Sequence, residues 1–153
     1  MKTKESLSSC ILKYALYAAF AAGVLITVTL PRMIDFYAYL IGSGTLTPDY
    51  RAFIIPFLII AAIPGLWIIL EMIRMMRTIS EDPFVMSNVR ALNRIGRLFF
   101  LLVIAFLVRC FFFLSFLALV CIFFFIGCGL FAFTLAAFIR QSVIFREEND
   151  LTI

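Results

Sequence analysis

The residues able to do chemistry are few, and they stand at the ends of apolar runs. Glu71 and Arg74 are three apart, the spacing of an ion pair along one helix. Asp35 and Asp49 fall in one polar segment, where the plainer reading is a pair of solvated loop carboxylates. All nine Asp and Glu residues lie at or beyond the edges of the apolar runs. General acid–base catalysis needs titratable groups held within reach of one another, and no pair here promises that. No serine sits in a GxSxG elbow, and no glycine-rich loop ends in GK[ST]. There is no histidine, and the four cysteines, Cys10, Cys110, Cys121 and Cys128, contain no CxxC pair. The usual zinc sites therefore lack a ligand set, and the thiols are expected to pack as small apolar groups. No catalytic, cofactor or metal site is expected, and an enzyme is the weakest functional class.

The elements that would position these residues are membrane spans. The chain is 65% hydrophobic and 14% charged, against roughly half and a quarter in soluble domains. It needs lipid as its solvent. The expectation is an all-α fold: one membrane domain over residues 1–153 with four transmembrane helices. The net charge of +4 does not point to direct nucleic-acid binding, because the basic residues sit at helix ends, where membrane topology accounts for them. Leu7-Ser8-Ser9-Cys10 superficially matches a lipoprotein box, but the apolar run follows the cysteine instead of preceding it, so processing there is not expected.

The first span is expected over about 12–30, ended by Pro31-Arg32, with Ala15, Ala19 and Gly23 as a small-residue packing face. A turn-rich loop follows, from about Asp35 to Arg51. The second span covers about 52–73. Pro64-Gly65 near its middle is a candidate hinge, with a static kink as the plainer alternative. Asp82-Pro83 reads as a helix N-cap followed by proline at the first helical position. Over about 83–96 the pattern is amphipathic: Phe84, Val85, Val89, Leu92 and Ile95 on one face, Ser87, Arg90, Arg94 and Arg97 on the other. This segment is expected to lie in the membrane interface as a short helix before the third span. The third and fourth spans, about 97–115 and 118–139, share one apolar run too long for a single crossing, so the chain must turn between Arg109 and Ala118. Cys128, Ala132 and Ala136 form a second small-residue stripe. The tail, 140–153, is polar.

Four spans place the amino terminus, the central loop and the tail on one side. That side carries Lys2, Lys4, Lys13, Arg74, Arg77, Arg90, Arg94, Arg97, Arg140 and Arg146; the other carries Arg32, Arg51 and Arg109. The excess of positive charge predicts cytoplasmic termini in a multi-pass cell-membrane protein. Two functional classes remain. One is a small transporter or channel-like bundle, with a homo-oligomeric channel as one form of it, although no carboxylate is expected at mid-membrane depth. The other is a binding or regulatory membrane protein, whose docking elements would be the amphipathic segment and the tail.

Those two segments also carry a resemblance. Asp82-Pro83-Phe84, then Asn88-Val89-Arg90, Leu92 and Arg94-Ile95-Gly96, together with the ending Glu147-Glu148-Asn149-Asp150-Leu151-Thr152-Ile153, resemble the YoaS-like family of small bacterial membrane proteins of unknown function. The resemblance implies a four-helix inner-membrane protein. Because genes of such proteins often neighbour a small Cro/C1-type helix-turn-helix regulator, it also implies a membrane partner that sequesters or controls a cytoplasmic DNA-binding protein. The candidate partner-binding residues are Asp82, Pro83, Phe84, Asn88, Arg90, Arg94, Arg97, Glu147, Glu148, Asp150, Leu151 and Ile153. The opposite charges of the three arginines and of Glu147, Glu148 and Asp150 would also let the two segments hold each other.

Overall fold

The computed structural model describes residues 7–40, 47–79 and 84–150. Four helices follow one another: α1 (Leu7–Leu40), α2 (Pro48–Ile79), α3 (Met86–Phe112) and α4 (Phe116–Asp150). All four are long and apolar enough to cross a bilayer. Exposure runs opposite to that of a water-soluble bundle. Phe111 and Phe116 are 88% and 82% exposed, and Phe123, Phe131 and Phe138 continue an outward phenylalanine stripe down α4. Such surfaces are stable only against lipid. The protein is a multi-pass integral membrane protein.

Among the described residues, backbones of different helices approach closely only between neighbours in the chain: α1 with α2, α2 with α3 and, most extensively, α3 with α4. The core lies around α3. Ile68 of α2, Ile95 and Leu102 of α3 and Ala132 of α4 form one cluster. Val89, Leu92 and Ala136 form a second. Helix α1 sits at the edge of the row. It meets α2 through buried Leu16 and through Gly23, where an added Cβ would fall 2.9 Å from Leu66. Ala15 and Ala19 are exposed, so of the expected small-residue stripe only Gly23 packs.

The helices are longer than the expected spans. Helix α1 continues through Pro31 to Leu40, and α2 runs through both Pro56 and Pro64. A proline removes one backbone hydrogen bond, but leaving the helix in lipid would strand many more, so the helix goes on. Pro48 opens α2 at a position where its missing N–H costs nothing, and Arg51 N–H donates to the Thr47 carbonyl at 3.0 Å. The α3–α4 turn falls where expected. Phe113 is extended, its N–H donating to the Arg109 carbonyl at 2.9 Å, and the Ser115 carbonyl accepts from Ala118 N–H at 3.0 Å.

At the far end, opposite the chain termini, Arg51 NH2 lies 2.9 Å from Asp35 Oδ2, tying α2 to α1. Both side chains are half exposed. Arg51→Gln is therefore expected to lower stability by less than about 1 kcal/mol, measured by denaturation of the detergent-solubilised protein. A larger loss would show that the pair fixes the α1–α2 hairpin.

Candidate functional site

The amphipathic segment is not a separate interfacial helix. It is the first half of α3, continuous with the third span. Val85 takes the N-cap position with extended backbone and no side-chain cap, so the helix starts at Met86, past the expected Asp82-Pro83 start. Val89, Leu92 and Ile95 are buried as their spacing implied, but against α2 and α4 instead of lipid headgroups. The reason is competition between two surfaces. The apolar stripe finds a better-packed surface in Met75, Leu135 and Ile139 than in a fluid interface.

On α2, Pro64, Ile68 and Glu71 are all buried, and Ile68 packs with Ile95 of this stripe. Glu71 is 1% exposed, yet it is a carboxylate. Two arginines hold it. Arg94 of α3 engages it side-on: Nε is 3.0 Å from Oε1 and NH2 is 3.1 Å from Oε2. Arg74, one turn on in α2, places NH1 3.4 Å from Oε1. A two-pronged guanidinium–carboxylate pair is strong and directional. The anion is enclosed while both cations remain about half exposed, so the guanidinium heads that bind the carboxylate also keep an outward-facing side. The cluster fixes the register of α2 on α3.

The expected Glu71–Arg74 pair is thus present, and Arg94 joins it from α3. A carboxylate on an apolar helix requires a cation within reach, and Arg94 supplies one from α3. Asn88 is buried at 2% exposure, next to buried Val89. Arg90 and Arg97 are exposed, as is Phe84 at 43%. Asp82, Pro83, Leu151 and Ile153, and the side chains of Glu147 and Asp150, lie outside the described residues. Pro64 is buried inside an unbroken α2, beside Gly65.

Helix α4 continues to Asp150, so the polar tail begins as helix. It packs closely on α3: an added Cβ on Gly96 would fall 2.8 Å from the Phe133 ring. Between the two helices, toward the end that carries the termini, runs a groove of about 390 Å³. Its floor includes Val89, Ala136 and Ile144, and its rim includes Asn93, Arg140, Gln141 and Glu148. At the opposite end Arg109 NH2 donates to Tyr50 Oη at 3.4 Å, and its guanidinium lies 5.7 Å from the Phe57 ring centre. An aromatic wall holds this cation, as well as any reach toward the surface.

A family model described as "Protein of unknown function (DUF2975)" matches residues 39–153. The chain belongs to the DUF2975 family. The matched segment takes in the whole of α2, α3 and α4, and with them Glu71, Arg74 and Arg94. The features that this DUF2975 protein brings together, the buried ion pair and the α3–α4 groove, therefore both fall within the family region. No curated protein and no solved structure matches the chain.

Proposed function

We propose that this DUF2975 protein is a membrane-resident binding partner that holds a small soluble helix-turn-helix regulator at the cytoplasmic face of the cell membrane. The observation that carries this reading is the polar end of α4. Phe116 to Ile139 is 24 residues by numbering, about 36 Å of helix, which already crosses a hydrocarbon core of about 30 Å. Beyond it, Ile144 and Phe145 remain 39% and 57% exposed, beside a groove with a polar rim. Exposed apolar anchors next to hydrogen-bonding groups are what a protein partner uses. The positive charge at this end supports its cytoplasmic placement.

The test is affinity capture from gently solubilised native membranes, comparing the intact chain, a chain lacking residues 147–153 and Phe145→Ala. A small DNA-binding protein should come down with the intact chain and be at least tenfold depleted with Phe145→Ala. Equal recovery with Phe145→Ala, or no such protein with any chain, would remove this reading. A solute-moving bundle is the second reading, favoured by the buried carboxylate of Glu71 in a span. It requires flux into proteoliposomes that Glu71→Gln abolishes.

A further inference from the structure

Helix α3 carries an exposed stripe that the partner groove leaves unused. Arg90, Arg94, Arg97, Leu101, Ile104 and Val108 recur at helical spacing and are all exposed. The stripe changes character once along its length, with three guanidiniums first and three aliphatic side chains after. A groove lies on each side of it. One, about 410 Å³, runs between α2 and α3, with Trp67 on its far wall and Arg94 and Arg97 at its head. The other, about 400 Å³, runs between α3 and α4, with Phe133 on its far wall and Arg97 again at its head. Arg97 and Leu101 belong to both grooves and form the ridge between them.

We infer that this surface binds one anionic phospholipid, its phosphate on Arg97 and its two acyl chains in the grooves astride Leu101. The match is in charge, in shape and in sequence along the axis. Arg94 already shares Glu71 with Arg74, so Arg97 supplies the charge that the site does not neutralise internally. Arg97 donates through Nε to the Asn93 carbonyl at 3.3 Å, which steadies its stem and leaves the two terminal nitrogens for a phosphate. Below the arginine both grooves are almost wholly apolar, as acyl chains need. A basic head between transmembrane helices at a membrane boundary is a recognised mode of anionic headgroup binding. A soluble anion would gain nothing from the grooves, and a zwitterionic lipid would gain less from the arginine, because the cation on its own headgroup competes for the phosphate.

The chain has a single tryptophan, and it lines one of the grooves. Trp67 fluorescence therefore reports occupancy directly. The full-length protein in phosphatidylcholine vesicles is titrated with phosphatidylglycerol brominated on its acyl chains, and in parallel with brominated phosphatidylcholine. Quenching should favour the anionic lipid by about fivefold at equal mole fraction. Arg97→Ala should bring that preference close to one, and Arg97→Lys should keep part of it. Arg146→Ala, which removes the same charge at the same end of the bundle, should leave it unchanged. Circular dichroism and size exclusion verify that each variant is folded. Equal quenching by the two lipids would overturn the site. So would a preference that survives Arg97→Ala, or one that falls equally with Arg146→Ala, which would reflect bulk surface charge. Reversal of the quenching by millimolar inorganic phosphate would mark a free-phosphate site and overturn the lipid assignment.

Discussion

Arg94→Ala is expected to destabilise the bundle by about 3 kcal/mol, and more than Glu71→Gln does. The asymmetry follows from burial. Glu71 is 2% exposed at its side chain and Arg94 is 49% exposed. Removing the arginine leaves an enclosed carboxylate with only Arg74 at 3.4 Å. Removing the negative charge instead leaves two arginines that can turn toward the membrane surface. The side-on pair also joins α2 to α3, so its loss loosens the interface around Ile68 and Ile95. The double variant Glu71→Leu/Arg94→Leu should recover most of the loss, because a well-packed apolar pair carries no desolvation cost. Reversible unfolding in mixed micelles measures all three. A wild-type midpoint for Arg94→Ala would show that the pair does not hold the helices together.

Ala136→Leu should be the other large effect, a loss of about 2–3 kcal/mol. Ala136 is 1% exposed and packs against Val89 and Leu92, with Met75, Leu135 and Ile139 around them. On the side toward α3, three further carbons would press on Val89 and Leu92 and force α3 and α4 apart. The neighbouring Ala137 is exposed, so Ala137→Leu should change little. The contrast between adjacent alanines is the informative result, since helix propensity is nearly the same for both. Similar losses at both positions would mean that the α3–α4 interface is not where the close packing lies.

Much of this architecture is legible in the sequence. The four apolar runs give the four helices, and the Arg109–Ala118 window contains the turn, because bilayer thickness permits few other solutions. Ala132 and Ala136 announce the α3–α4 contact through their size and spacing. The failures share a cause. Pro31 looks like a terminator by the rules of water-soluble helices, but a helix in lipid has no better place for its backbone groups. The amphipathic start of α3 looks interfacial because its apolar face is narrow, and only tertiary structure shows that α2 and α4 cover that face. The Arg94–Glu71 pair is half legible: spacing links Glu71 to Arg74, but a contact across 23 positions depends on the rotation of two helices about their axes. Sequence periodicity constrains that rotation loosely. The groove beside Ile144 and Phe145 was equally hidden, since nothing local shows that helix α4 continues beyond the apolar run.

The arrangement of helices in a row, each backbone against its neighbour in the chain, bears on how the molecule is made. A closed ring of four helices would need its first and last members to find each other after synthesis was complete. Here, among the described residues, every close backbone contact between helices joins consecutive segments, so each helix can dock on the one inserted just before it. Contacts of short sequence separation form early and with little loop-closure entropy. The α1–α2 pair can settle while α3 is still being synthesised. Insertion then proceeds as a one-way accretion in which α3 brings Arg94 to a Glu71 already in the bilayer. The buried carboxylate waits without its second partner only as long as about twenty residues take to emerge, roughly one to four seconds at cellular elongation rates.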